Sequence, residues 1–223
     1  MDSLFTQLIP LILGAVLSPL WVIIVLLMLT SPGGVLKATA FVLGMSFTRV
    51  VQGLLFGFVF GAATQADESS GKPIVSTLLL LMGILLLVAG VRKWRKEDDP
   101  DEPPPKWMQS MNEITALKAF GMGALLVGIG PKLWVFTLSA LAVISDADLG
   151  LTASSIAFAF YIVMAQIVLI LAILVAVLIP KRSQAILARA MDWLNTYNRP
   201  ISITVALVFG VFFMVNGLQG LLE

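Results

Sequence analysis

The sequence contains no cysteine and no histidine, and only 12% of its 223 residues are charged. Without cysteine there are no disulfides and no thiolate metal sites. Without histidine the commonest metal ligand and the usual base near neutral pH are missing. We therefore expect no bound metal, no cofactor and no enzymatic activity. Soluble domains carry about a quarter charged residues, so this composition also argues against a soluble fold.

Long apolar runs take the place of the missing charges. The chain is 59% hydrophobic and has a mean hydropathy of +0.99. A membrane-spanning helix needs about 20 apolar residues, and six runs meet or nearly meet that length. They predict an all-α integral membrane protein with six transmembrane helices, at residues 6–30, 35–63, 73–92, 118–144, 151–180 and 200–221.

The distribution of basic residues predicts the orientation of these helices. Lysines and arginines crowd into the first, third and fifth loops, as Lys37, Arg92, Lys93, Arg95, Lys96, Lys106, Lys118, Lys181, Arg182, Arg189 and Arg199. The loops on the opposite side carry Lys72 alone. Because loops rich in lysine and arginine remain cytoplasmic, we expect both termini outside and the polar segment 93–117 in the cytoplasm.

Three short phrases of the first half recur in the second half in the same order. Residues 18–22 (SPLWV) resemble residues 130–135 (GPKLWV), in which Lys132 is an insertion. Gln52 corresponds to Gln166. The last pair of matching phrases is GILLLVAG at 83–90 and GVFFMVNG at 210–217.

Each half contains three predicted helices, so the two halves would cross the membrane in opposite directions. This predicts two inverted three-helix repeats at 1–92 and 118–223, joined by a cytoplasmic linker at 93–117. Inverted repeats whose helices break near the membrane midplane are typical of secondary transporters. Pro19 and Pro131 hold equivalent positions and favour that interpretation. The alternative is that the two prolines only kink packed helices.

Two cations are predicted to lie deep in the membrane. Lys132 lies about 21 Å along its helix from Lys118, and Arg49 about 18 Å from Lys37, at 1.5 Å per residue. A cation at the bilayer centre costs at least about 2.5–3.5 kcal/mol. No aspartate or glutamate falls within the six predicted helix cores. Freed backbone carbonyls, a water-filled cavity or an anionic ligand could each stabilise these charges.

We predict that the substrate site is built from these cations, the paired prolines and the polar residues near them. Its candidate residues are Lys132, Arg49, Pro131, Pro19, Ser18, Gly130, Gln52 and Gln166. Three alternatives remain open. Arg49 could be tied to helix carbonyls, and the glutamines could simply bond across helices. Ser18 and Lys132 could form the dyad of an intramembrane enzyme.

Small residues form a ridge on the second predicted helix. Gly53, Gly57 and Gly61 recur at every fourth position, the spacing that lets membrane helices pack closely. This ridge predicts either packing within the bundle or a homodimer. The other expected partners are membrane lipids and an anionic or amphipathic substrate, and nothing in the sequence points to nucleic acid.

The segment PPKWMQSMNEITALKAFGMGALLVGIGPKLWVFTLSALAVIS at 104–145 resembles the Sap or GAP family. These are glycolipid-addressing membrane proteins of the lysine-exporter superfamily. The resemblance is carried by P-x-W-M, by ALKAFGMG and by Pro131-Lys132 before a stretch rich in threonine, serine and alanine. One departure is that the family usually has Asn-Pro-Lys-Asn where this chain has Gly130-Pro131-Lys132-Leu133.

The resemblance implies export of an envelope glycolipid, or of another small solute, across a bacterial plasma (inner) membrane. Together with the buried cations it predicts a transporter or exporter of an anionic or lipid-linked small molecule. In this hypothesis the two inverted repeats alternate access to a mid-membrane site. The alternative function is an accessory membrane protein that assembles or regulates an envelope lipid export complex.

Overall fold

The computed structural model describes residues 2–16, 18–66, 68–95 and 114–222. The side chains of residues 2–3, 58–75, 78, 82, 131–132 and 181 lie outside this description, as does most of the predicted linker. All regular structure in the described ranges is helical, which confirms the all-α prediction for them. The helices are α1 (Asp2–Val16), α2 (Pro19–Thr30), α3 (Gly34–Ala66), α4 (Glu68–Arg95), α5 (Ala116–Ile129), α6 (Pro131–Asp146), α7 (Gly150–Met164), α8 (Ile167–Leu178) and α9 (Pro180–Leu222).

Some of these helices are long and apolar enough to cross a membrane. Two of them meet this criterion without a break, over Gly34–Gly57 in α3 and Arg182–Leu222 in α9. Three consecutive pairs meet the criterion only together, because each is bent at a short break: α1–α2 by 55°, α5–α6 by 71° and α7–α8 by 61°. Counting each bent pair as one span gives up to five spans in the described chain. The predicted third span falls within α4.

Two of the breaks lie where the sequence places its paired prolines. Proline has no backbone N–H to donate to the preceding turn and is well suited to the first position of a helix. Pro19 begins α2 and Pro131 begins α6. The residue before each proline, Ser18 or Gly130, is extended rather than helical. Each proline therefore begins a new helix, after a bend of 55° at Pro19 and of 71° at Pro131.

The third break was not predicted, because it contains neither proline nor glycine. The predicted helix 151–180 is instead divided into α7 and α8 at Ala165 and Gln166. There the Gln166 backbone N–H donates to Val163 at 3.2 Å, a tightened turn that leaves the Ile162 carbonyl without its usual partner. The Gln166 side chain replaces that partner, since its Nε2 donates to the Ile162 carbonyl at 3.2 Å.

The predicted boundary at residues 198–200 is wrong, because α9 runs without interruption through Pro200. With 43 residues, this helix is about 64 Å long at 1.5 Å per residue, roughly twice the thickness of a bilayer core. Its first half is held against α2, where Leu187 and Leu194 form one buried cluster with Ile23 and Leu26. That tertiary packing keeps residues 181–199 in line with the apolar half.

Helices α4 and α9 pack closely through the glycines of the third repeated phrase. Gly83 lies against the backbone of Met214, and Gly210 lies against Leu87. In the repeat, Gly83 corresponds to Gly210 and Leu87 corresponds to Met214. The two contacts are therefore equivalent when α4 and α9 are exchanged. The other two contacts related in this way are Gly217 with Leu80 and Gly90 with Leu207.

Helix α3 is fixed on one side by α5. Gly44 lies against the backbone of Phe120 and Gly123 lies against that of Phe41, so the two helices touch main chain to main chain. Thr48 Oγ1 donates to the Ala124 carbonyl at 2.9 Å. This contact sets the rotation of α3 about its own axis and therefore decides which of its side chains face the bundle interior.

The α4–α9 contact predicts unequal effects of two glycine-to-alanine substitutions. In Gly217→Ala the new methyl would lie 2.5 Å from the Leu80 backbone nitrogen, so we expect a loss of about 1–3 kcal/mol in unfolding free energy. Gly121→Ala is the control, because its methyl would meet nothing within 4 Å, and helix propensity there favours alanine by about 0.5–1 kcal/mol. Detergent unfolding measures both. Equal stability of the two variants would contradict the packing.

Candidate functional site

Arg49 is the most completely buried charged residue of the described chain, with 1% of its surface exposed. It lies on the face of α3 that also carries Met45 and Gln52, at the spacing of one helical stripe. Its Nε and Nη1 have no hydrogen-bond partner among the described residues. The alternative that this side chain is tied to helix carbonyls therefore fails for those two nitrogens.

A small cavity beside Arg49 joins two of the helix breaks. Its volume of about 10 Å³ is close to what a single water molecule occupies. The α1–α2 break and the α7–α8 break form two of its walls, and the interior face of α3 forms the third. The lining residues are Ala15, Val16, Trp21, Met45, Arg49, Ala165, Gln166, Val168 and Leu169.

The buried polar atoms around this cavity have unused hydrogen-bonding capacity. Within the described chain, the side-chain atoms without a partner are Trp21 Nε1, Arg49 Nε and Nη1, both ends of the Gln52 amide, the Tyr161 hydroxyl and Gln166 Oε1. Each unsatisfied buried group costs about 1–3 kcal/mol. N–H groups predominate in this set, and a set rich in donors matches an anion or a water molecule.

No described carboxylate compensates the charge of Arg49. The group that interacts with it electrostatically is the Tyr161 hydroxyl, which is neutral in its ordinary state. That hydroxyl lies beside Thr137, but Thr137 Oγ1 donates elsewhere, to the Leu133 carbonyl at 3.0 Å. The guanidinium thus lies among dipoles rather than opposite a negative charge, and an anionic ligand would supply the missing charge.

Gln166 connects the α7–α8 break to α3. Besides its bond to Ile162, its Nε2 donates to Ser46 Oγ at 2.9 Å. Ser46 in turn donates to the Val42 carbonyl at 3.0 Å. The alternative in which Gln166 bonds across helices is therefore confirmed for this residue. The same amide still presents Oε1 unpaired at the cavity, so Gln166 has both a structural role and a free acceptor.

The two tryptophans of the repeated phrase have different environments. Trp134 Nε1 donates to the Gly128 carbonyl at 2.7 Å, one of the carbonyls that the α5–α6 break frees. Trp21 lines the cavity, and its Nε1 has no described partner. Because Lys132 is inserted, Trp134 lies one residue further from its proline, a rotation of about 100° around a helix of 3.6 residues per turn.

The structure brings some of the predicted site residues together. Arg49 and Gln166 line the cavity, and Gln52 lies one turn along α3 from Arg49. Pro19 is buried at the start of α2, where Ser18 precedes it without capping the helix through its side chain. Gly130 separates α5 from α6. The side chains of Pro131 and Lys132 lie outside the described residues.

Two residues at the site were not singled out from the sequence. They are Trp21 and Tyr161. The sequence does distinguish Trp21 from Trp134, its counterpart in the repeat, because Lys132 is inserted between Pro131 and Trp134. No signal in the sequence distinguishes Tyr161. The described chain holds no group of three or more histidine, cysteine, aspartate or glutamate side chains that could hold a metal ion.

The glycines proposed for a dimer contact lie in different surroundings. Gly53 lies against the ring of Phe158 within the bundle. Gly57 has nothing within 4 Å of where a side chain would begin, so it faces open space. Gly61 falls outside the residues whose surroundings are described. The first glycine therefore serves internal packing, and the homodimer stays a prediction.

Comparison with known proteins gives one match. The sequence model of a family described as Sap, sulfolipid-1-addressing protein, matches residues 8–219, which is nearly the whole chain. Neither a curated protein nor a solved structure matches.

The contrast between the two tryptophans can be measured with matched variants. Trp134→Phe and Trp21→Phe remove the same atoms, but only Trp134→Phe leaves a half-buried carbonyl, that of Gly128, without its donor. We therefore expect Trp134→Phe to lose about 1–3 kcal/mol more unfolding free energy than Trp21→Phe. Chemical unfolding in detergent micelles measures the difference. Equal losses, or a larger loss for Trp21→Phe, would contradict the hydrogen-bond assignment.

Proposed function

Since this chain belongs to the Sap, sulfolipid-1-addressing protein, family, we propose that it transports an anionic or lipid-linked small molecule across a bacterial inner membrane. Its apolar helices and its family support a membrane role connected with lipids. The observation that carries the proposal is the environment of Arg49, which is buried without a counter-charge where two broken helices meet. A structural arginine would be expected to satisfy its donors within the fold.

The transporter in this proposal has six spans arranged as two inverted three-helix repeats. Two findings support that organisation. Pro19 and Pro131 begin half-helices at corresponding positions. The contact of Gly83 with Met214 and that of Gly210 with Leu87 exchange when α4 and α9 are exchanged, as a pseudo-two-fold axis between the repeats requires.

Alternating access would use the helix breaks as hinges. The half-helices on either side of a break meet at angles of 55° to 71°, and a few residues at the ends of helices can absorb most of the change in backbone angles during domain motions. Helix α3, which runs unbroken past the cavity, would act as the fixed wall. The small size of the cavity corresponds to a closed state in this cycle.

Binding would depend on the donors that converge on the cavity. Arg49 supplies the charge, and Trp21 supplies a directed N–H group. The half-helices that begin at the breaks add to this, because a helix N-terminus carries a partial positive charge of about half an elementary unit. Lys132 lies in the first turn of α6 and is proposed as a second cation at the same site. We propose a carrier rather than an enzyme, because the site lacks histidine, cysteine and a described carboxylate.

Transport by proteoliposomes tests the role of the two cations. We expect the Arg49→Met, Lys132→Met double variant to lose nearly all transfer of a sulfated glycolipid, because no charge would remain to bind the headgroup. Arg49→Met alone should keep or raise the stability, since replacing an unpaired buried charge by an apolar side chain is often stabilising by about 1–4 kcal/mol. Lys118→Met, at the edge of the same span as Lys132, is the matched control. Wild-type transfer by the double variant would refute the mechanism.

The absence of cysteine makes the topology directly measurable. Single cysteines at Asp2 and Lys106 should react on opposite sides of the membrane, because the basic loops are expected to remain cytoplasmic. A membrane-impermeant maleimide added to intact spheroplasts should label Asp2→Cys and spare Lys106→Cys until the membrane is opened. The unmodified chain serves as the blank. Labelling of both positions from one side would exclude the proposed orientation.

A further inference from the structure

The cavity beside Arg49 extends to the outer surface of the bundle. Val168 lines the cavity, yet 37% of its surface is exposed. Val16, on the opposite wall at the end of α1, is half-buried. The cavity therefore has a mouth between the α1–α2 break and the start of α8, which we call the side mouth and define by Val16 and Val168.

The surface around the side mouth is apolar. Leu13 of α1, Leu20 of α2 and Leu171 of α8 are all exposed there, and each lies within one turn of a residue that lines the cavity. In a helix that crosses a membrane, an exposed apolar face of this kind contacts lipid chains. The side mouth thus opens toward hydrocarbon rather than toward water.

Polarity changes along the short path from the side mouth to the interior. The inner end has the unpaired N–H groups of Arg49 and Trp21 and the free carbonyl of Gln166. The outer end has the side chains of Val16 and Val168, which are partly exposed. An amphipathic molecule with a small charged end and an apolar chain shows the same change from polar to apolar along its length.

We propose that the substrate enters sideways from the bilayer through the side mouth, with its oxyanion headgroup inside the cavity and an acyl chain left in the hydrocarbon. This inference rests on the proposed transport function. The oxyanion would accept hydrogen bonds from Arg49 and Trp21, while an acyl chain would lie across Val168 and remain in the hydrocarbon. A chain in that position exchanges one apolar environment for another and loses little.

The same mouth is a poor path for a free anion. A dissolved sulfate or phosphate would have to leave water and pass the apolar rim before reaching Arg49, and stripping an ion of water without a partner is very costly. A lipid headgroup enters at the depth of the mouth with its chain already in hydrocarbon. The rim of valine and leucine therefore selects for the lipid-linked form of the oxyanion.

The side mouth is flanked by parts that could move apart. The cavity as it stands has room for about one water molecule, so a headgroup can bind only after it widens. The two walls that form the mouth belong to helix pairs bent by 55° and 61° at their breaks, whereas α3 behind them is unbroken. Opening at the two breaks would separate Val16 from Val168 and leave Arg49 in place.

A bulky side chain at the mouth tests this path. In Val168→Trp the indole should close the mouth without touching Arg49, so transfer of a sulfated lipid between phosphatidylcholine vesicles and proteoliposomes should fall by roughly tenfold or more, equivalent to about 1.4 kcal/mol in the barrier. Leu178→Trp, exposed at the far end of the same helix and about 15 Å from Val168 at 1.5 Å per residue, is the matched control and should transfer like the wild type. In detergent, inorganic sulfate at high concentration should raise the melting temperature of both variants equally, because the headgroup site is intact.

The outcomes separate this inference from the proposed function. Transfer by Val168→Trp at the wild-type rate would overturn the side mouth and leave transport standing. No lipid transfer by the wild type would refute the proposed function itself. Uptake of inorganic sulfate without lipid transfer would overturn the lipid-linked substrate. If Val168→Trp loses both transfer and the response to sulfate, Val168→Gly decides: faster transfer supports the mouth, and an unchanged or slower rate overturns it.

Discussion

A guanidinium held in an apolar interior without a counter-charge among the described residues is the constraint on which this structure depends. Arg49 is on α3, whose rotation is fixed by backbone contact with α5, so it cannot turn toward the membrane surface. Burying such a charge is unfavourable unless nearby dipoles or a ligand offset the cost. Three helix pairs of the described chain meet at bent breaks, and each break exposes backbone dipoles that a continuous helix would satisfy internally.

The broken and unbroken helices have different roles around this charge. The breaks at Pro19 and at Gln166 create a cavity, and their polar side chains line it. Helices α3 and α9 run continuously and supply rigid surfaces against which the half-helices pack. Close contacts at glycines of both helices hold α4 and α9 together. The glycine contacts between α4 and α9 thus lie away from the residues that line the cavity.

The sequence predicted those features that follow from a single residue's chemistry. Proline removes a backbone donor, so the breaks at Pro19 and Pro131 could be located, and an arginine in an apolar run could be expected to lie deep. The break at Gln166 depends on a side-chain bond to Ser46 in another helix, which no local pattern reveals. Pro200 gave the opposite error, because packing of Leu187 and Leu194 on α2 keeps α9 continuous through it.

The length of α9 couples two regions that would otherwise be independent. Its first half packs against α2, the helix that begins at the Pro19 break, and its second half packs against α4. Because a continuous helix is stiff, a tilt at one of these contacts is transmitted to the other. Displacement of α2 at the cavity would therefore tilt α4 and α9 together as one rigid body.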